Sequence, residues 1–179
     1  ALEIDPAHEM SQRLWGVLLD RQGRPEEGLQ HLQEAIKIHS DYKSALETLQ
    51  IATDIANRTG DPLNKIEAIN LKGVILHDAN QGKAAYDCYK LGYDMAREAQ
   101  IQRGLMISAM HCGMYFKELN ETTSALSYFT EAFPIAEELK DTNSIFPCCI
   151  NMGTLYERTK DNEKALVQYR RAFALNGEN

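Results

Sequence analysis

A chain of 179 residues with 44% hydrophobic side chains is long and apolar enough to bury a substantial core. Its 19 basic against 26 acidic residues leave a net charge of −7 with no Lys/Arg cluster, which argues against the basic face that nucleic acid requires. No apolar run approaches the ~18 residues of a membrane helix, and no signal peptide is visible.

The segments between breakers follow threes and fours rather than alternation, as in Leu29, Leu32, Ile36 and in Leu126, Phe129, Ala132, Phe133, Ala136. The spacing predicts nine helices, at residues 9–22, 25–39, 42–58, 62–79, 83–99, 102–118, 122–139, 142–159 and 162–176. Gln22-Gly23-Arg24-Pro25 ends the first and opens the second, with proline where its missing N–H costs nothing. His39-Ser40-Asp41 offers an N-cap to the third. Thr59-Gly60-Asp61-Pro62 is the clearest stop-and-restart signal. Asn80-Gln81-Gly82, Asn120-Glu121-Thr122, Lys140-Asp141-Thr142 and Lys160-Asp161-Asn162 do the same work, whereas the break between Ala99 and Gln102 rests on the period alone. Short loops make successive helices antiparallel neighbours. Pro134 falls inside the seventh helix and is expected to kink it.

Ala45, Ala85, Ala125 and Ala165 stand forty residues apart. Gly73, Gly113 and Gly153 precede the last three by twelve; Tyr89, Phe129 and Tyr169 follow by four; Gly92, Ala132 and Ala172 follow by seven. A fixed period of this size belongs to a stacked array of supersecondary units. Glycine inside a helix costs about 1 kcal/mol relative to alanine, which is sensible where a neighbouring helix must come close. The small residues of paired helices are expected to meet, with the aromatic filling the space beside them.

This pattern resembles the tetratricopeptide repeat: a small residue late in helix A, a small residue early in helix B, an aromatic four later and alanine seven later. Leu76, Phe116 and Tyr156, three beyond each helix A glycine, extend the match. Trp15-Gly16, Gly23, Gly28, Leu32 and Ala35 fit the shorter 34-residue form, and Ala1–Pro6 look like the end of a preceding repeat, so residues 1–179 read as one array excised from a longer protein. Gly16 and Gly73 are 57 residues apart, which leaves the repeat count ambiguous around the B-type helix at 42–58. The forty-residue form is similar to repeats of kinesin light chains, spindle-orienting scaffolds and bacterial peptide-sensing regulators. The resemblance implies an all-α, right-handed superhelix of antiparallel helix hairpins with A helices lining a concave face. It implies protein or peptide binding, no catalysis and no cofactor.

The search for other chemistry agrees. There is no HExxH, Walker A or GxGxxG motif and no His/Cys metal spacing. The four cysteines, Cys88, Cys112, Cys148 and Cys149, form no CxxC pair and fall among apolar helical residues. Buried free thiols in a reducing, cytoplasmic setting are expected. His111-Cys112 is the one adjacent His/Cys pair, but neighbours on a helix point about 100° apart, a poor geometry for a nucleophile and its base.

On the family geometry the candidate peptide contacts are Asn70 and His77 in one A helix; Met110, His111, Met114 and Lys117 in the next; and Asn151, Thr154 and Arg158 in the last. Asn151 matches the family's peptide-gripping asparagine, an amide able to pair with a ligand N–H or C=O. Each of these residues has a plainer reading as part of a solvated helix face, and Met110 with Met114 as packing. A clamp for a chain-terminal carboxylate is not expected, because Val74, Met114 and Thr154 stand where that clamp has asparagine. The leading reading is a scaffold for a protein or peptide partner, without nucleic acid or membrane. The alternatives are the sensor domain of a larger regulator, and self-association through a last helix exposing Leu166, Tyr169 and Phe173. Ala125→Trp should destabilise the fold by about 1–3 kcal/mol through overpacking, read as a lowered melting midpoint; an unchanged midpoint contradicts the proposed helix pairing.

Overall fold

From Pro62 onward a new helix begins every twenty residues. The computed structural model describes residues 6–38 and 42–176, with side chains over 12–36 and 43–175. These residues form nine helices and no strand: α1 (Pro6–Arg21), α2 (Pro25–Ile38), α3 (Tyr42–Thr59), α4 (Pro62–Asp78), α5 (Gly82–Glu98), α6 (Gln102–Glu118), α7 (Thr122–Glu138), α8 (Thr142–Arg158) and α9 (Asn162–Asn176). The helices expected from periodicity are all present, with ends shifted by up to three residues. Pro6 is the first residue of α1; residues 1–5, and with them the expected end of a preceding repeat, lie outside the described residues, as does the His39-Ser40-Asp41 cap.

Helices α4 to α8 are each 17 residues long. The reason lies in the turns. Gly60, Asn80, Gln100, Asn120, Lys140 and Lys160 all have positive φ. After α4, the N–H of Gln81 reaches Leu76 O at 2.9 Å and that of Asn80 reaches His77 O at 2.8 Å. The same pair of bonds closes α6 (Glu121 to Phe116, Asn120 to Lys117), α7 (Asp141 to Ala136, Lys140 to Glu137) and α8 (Asp161 to Tyr156, Lys160 to Glu157). This is the Schellman arrangement, in which one left-handed residue lets the chain satisfy the last helical carbonyls and turn back. The weak break near Gln100 is built in the same way, with Ile101 N–H on Ala96 O at 2.8 Å. At the Gly60 turn, Asp61 adds a side-chain cap to Leu63 N–H at 3.0 Å ahead of Pro62. Two prolines lie inside helices, Pro134 in α7 and Pro147 in α8, and both helices run on through them. Pro134 and Thr130 are both exposed, so the carbonyl deprived of its donor lies on the solvent side.

The chain divides into two compact units, residues 1–91 and 92–179. In the first, α1 and α2 meet backbone to backbone. A methyl on Gly28 would stand 2.6 Å from Gly16 O, and one on Gly16 would stand 2.8 Å from Gly28 O. Helix α2 packs on α3 through Leu29, Leu32, Ala52 and Ile55, and a second cluster joins Ile36, Ala45, Leu49 and Ile75. Thus α2 serves a neighbour on each side, which resolves the ambiguity at 42–58: α3 continues the row between α2 and α4. Gly73 lies against the Tyr89 ring, where a methyl would come within 2.3 Å of Cε1.

The second unit holds the hairpins α6–α7 and α8–α9. A methyl on Gly113 would stand 2.9 Å from the Phe129 ring, and one on Gly153 would stand 2.5 Å from the Tyr169 ring. The expected pairing of small residues is therefore refined: each helix A glycine makes room for the aromatic, while Ala85, Ala125 and Ala165 are buried beside it. On α9, Leu166, Val167 and Phe173 are exposed, Phe173 at 80% against 7% for Phe133 one repeat earlier. Tyr169 does not join that exposed face, because its ring is committed to Gly153.

Lys140 and Lys160 hold left-handed backbone despite their Cβ, at a cost of about 1–2 kcal/mol each. Lys140→Gly and Lys160→Gly should each raise the thermal midpoint by about 2–4 °C, whereas Lys72→Gly, inside α4, should lower it. Midpoints that fall for all three would show these turns to be unstrained.

Candidate protein-interaction site

Within the second unit, three side-chain ties between next-but-one helices share one spacing. The sixteenth residue of a helix reaches the tenth of the helix two further on. Arg97 of α5 pairs with Glu131 of α7. Glu137 of α7 pairs with Arg171 of α9 at 3.9 Å. Between them in sequence, Lys117 of α6 meets Asn151 of α8, its ammonium donating to Asn151 Oδ1 at 2.6 Å. The reach follows from the short turns, which bring the end of one helix beside the middle of the next of its kind.

The Lys117–Asn151 tie differs from its two counterparts in charge. Those pair a guanidinium with a carboxylate; here a cation meets a neutral amide. Arg158 adds a second cation, its Nη1 donating to Lys117 O at 3.0 Å, the carbonyl that also accepts Asn120 N–H at 3.1 Å. A guanidinium at a helix C-terminus answers the partial negative charge of the last carbonyls. Among the described residues, Lys117 and Arg158 have only these neutral oxygen partners. Met114, Lys117, Glu118, Asn120, Asn151 and Arg158 line an open cavity of about 310 Å³. Since Lys117 occupies Asn151 Oδ1, the amide NH₂ is the group that Asn151 offers to the cavity.

Four residues named from sequence, Met114, Lys117, Asn151 and Arg158, come together here. Met110, His111 and Thr154 do not line the cavity. Thr154 Oγ1 donates to Ile150 O at 2.9 Å within its own helix, and Met110 and His111 are partly buried nearer the start of α6. Asn70 and His77 belong to the first unit. Asn70 is buried, at 3% exposure, and His77 stands 3.5 Å from Asp78 in the last turn of α4. Glu118 and Asn120 are not singled out by the sequence pattern. The signal available for Asn120 is its place in the turn, forty residues after Asn80. The adjacent His111-Cys112 pair offers no exposed nucleophile, because Cys112 is fully buried. Among the described residues, no group of three or more His, Cys, Asp or Glu side chains is placed to hold a metal ion, and no helix is long and apolar enough to cross a membrane.

Paired helices closed by left-handed turns, with glycine seated on an aromatic ring, define an all-α repeat protein whose exposed helix faces carry polar contact residues. Comparison with known proteins names the class more narrowly. A tetratricopeptide repeat family model matches residues 146–179. Tetratricopeptide repeat protein 29 of Trypanosoma brucei brucei is 22% identical over 131 residues, which are 73% of this chain and 27% of that relative, so the chain spans about a quarter of that protein's length. Among solved structures, BtubC (BKLC) from P. vanneervenii superposes with a TM-score of 0.74 at 20% identity, over 97% of this chain and 71% of that one. Aspartyl phosphate phosphatase F from Bacillus subtilis superposes with a TM-score of 0.63 at 11% identity, over 96% and 51% respectively. At these identities the structural likenesses establish the fold. Residues 146–179 are matched as a tetratricopeptide repeat, and the chain shares the fold of tetratricopeptide-like helical solenoids.

The four thiols are free, and Cys112, Cys148 and Cys149 are buried. Burial, followed by the neighbouring Cys149 and Asp141, pushes the Cys148 thiol up to about 12. Burial likewise raises Cys149 and Cys88. A thiol raised in the folded state is protonated in both states below pH 9, then ionises first in the unfolded chain. Its contribution to stability is therefore full below pH 9 and is lost as pH rises from there toward about 12. Urea midpoints should fall through that window. Tyr93, held up by burial and by its hydrogen bond to Glu131, adds to the fall. The fall should be shallower in Cys148→Ala; equal slopes in the two proteins would remove Cys148 as a contributor.

Proposed function

We propose that the chain is a non-catalytic interaction scaffold that receives an extended segment of a partner protein on the α6/α8 face. The observation that carries this reading is the convergence of Met114, Lys117, Asn151 and Arg158 on one cavity. A methionine stem offers an adaptable apolar wall. The Asn151 NH₂ can donate to a peptide carbonyl whatever side chains flank it, which suits recognition of main chain. The two cations add directional donors at the rim. Such a mixture of apolar wall and fixed polar groups is what extended-peptide recognition uses. The lining groups are two amides, an ammonium, a guanidinium, a thioether and the Glu118 carboxylate, a set that suits holding a ligand by hydrogen bonds and charge. Free, buried thiols suit a reducing compartment such as the cytoplasm.

The test is Asn151→Ala. The amide lies at a partly exposed position, so the variant should keep its helical circular dichroism and melting midpoint. Loss of one hydrogen bond, about 0.5–1.5 kcal/mol, should weaken partner capture by roughly two- to tenfold. Proteins retained on the immobilised chain would be quantified for the wild type, for Asn151→Ala, and for Thr123→Ala on the exposed surface of α7 as a control. Equal retention by all three rejects the α6/α8 face as the binding site.

A further inference from the structure

The α6/α8 tie is the rung whose charge is left open. In α5/α7 and α7/α9 the sixteenth-to-tenth contact is cation to carboxylate. In α6/α8 the tenth position holds Asn151, so the rung sets no carboxylate against the Lys117 ammonium, and Arg158 brings a second cation to the same cavity. Glu118 is the single carboxylate of the lining, so the cavity carries one excess positive charge in a chain of net charge −7. A local excess of the minority sign is a recognition feature, because it attracts the charge that the rest of the surface repels.

Resting on the reading above, we propose that the cavity takes an acidic side chain, the carboxylate of a Glu or Asp within the partner's extended segment, held between Lys117 and Arg158. Both donors keep N–H groups to spare after their present bonds: an ammonium has three and a guanidinium five. The carboxylate supplies the partner that Glu131 gives Arg97 and that Glu137 gives Arg171. Met114, 38% exposed, lies against the aliphatic part of the same side chain or its neighbour, and the Asn151 NH₂ takes the adjacent main-chain carbonyl. The carboxylate is assigned to a side chain because the reading above takes an extended segment passing over the face, and a chain end is left as an outcome of the test.

The experiment uses fluorescently labelled nine-residue peptide pools, blocked at both ends and neutral at every position except the centre, which is Glu in one pool and Gln in the other. A third pool has a central Gln and a free C-terminus. Binding to the full chain is followed by fluorescence anisotropy at low and high salt. The Glu pool should bind roughly three- to tenfold more tightly than the Gln pool, as expected for an exposed ion pair strengthened by a second cation, and salt should erase the difference. The preference should vanish in the Lys117→Gln, Arg158→Gln double variant, with the wild-type comparison standing even if that variant folds poorly. Equal binding of Glu and Gln pools overturns the acidic side chain while leaving the scaffold reading intact. Binding of the free-C-terminus pool at the level of the Glu pool overturns the side-chain assignment in favour of a chain end. A Glu preference that survives in a folded double variant overturns the location. No binding by any pool overturns both this inference and the peptide-groove reading beneath it.

Discussion

One left-handed residue every twenty positions, from Gly60 to Lys160, sets where each helix stops and therefore what each helix can touch. From Asn80 on, the Schellman bonds that accompany it satisfy terminal carbonyls within the turn itself, so no further residues are needed to close the helix. With the turn so short, the next helix returns beside the one just ended. All further regularity in the second unit follows: equal helix lengths, glycine brought onto an aromatic of the partner helix, and polar ties from the sixteenth position to the tenth. Asn, Gln, Lys and Gly all occupy the turn, the lysines at the cost that a Cβ brings to left-handed backbone.

Packing and electrostatics then divide the work. Inside each hairpin, the glycine at 73, 113 or 153 is a vacancy shaped for a ring, and the penalty glycine carries in a helix is offset by aromatic surface buried in its place. Between next-but-one helices, the α5/α7 and α7/α9 ties are exposed or half-exposed ion pairs, each of which contributes about 0–1 kcal/mol. The hairpins hold the fold, and the ties set register without carrying much of its stability. The Tyr93–Glu131–Arg97 group is the best developed of them: the phenol donates to the carboxylate at 2.6 Å and the guanidinium lies 4.8 Å from the Tyr93 ring centroid.

Helix number and order are legible in the sequence because threes-and-fours periodicity and short breakers are local signals. The forty-residue alanine register is legible because it repeats. The twenty-residue register is harder to see: Gln100 and the two lysines are not residues that announce a left-handed turn, and the conformation there is imposed by the helices on either side. Glycine facing the ring rather than the alanine cannot be read from spacing, since both lie on the buried side of their helices. Tyr169 fits two surfaces on pattern alone, the hairpin interior and the exposed end, because periodicity gives a face and not its occupant. Of the cavity lining, Met114, Lys117, Asn151 and Arg158 are reached through helical position, whereas Glu118 and Asn120 enter it through the end of α6 and its turn, which helical periodicity does not describe. Burial of Asn70 shows the converse limit: a polar residue on the expected face of an A helix can still be covered.

The weakness of the ties explains why a site can sit on one of them. A glycine or aromatic of the hairpin cannot change without disturbing the core, since a methyl added at Gly73, Gly113 or Gly153 would come within 2.3–2.9 Å of the facing ring. A rung between exposed side chains can lose its carboxylate at a cost of the order of 1 kcal/mol or less, because water and neutral oxygens still solvate the cation. At Lys117 the carbonyl of Asn151 does this, and the main chain does it for Arg158. The same dielectric screening that makes the pair unimportant for folding leaves its charge available to a ligand, and only when a bound segment displaces water from the cavity does the interaction between them strengthen. The proposed recognition thus falls where the fold depends least on the identity of the side chain.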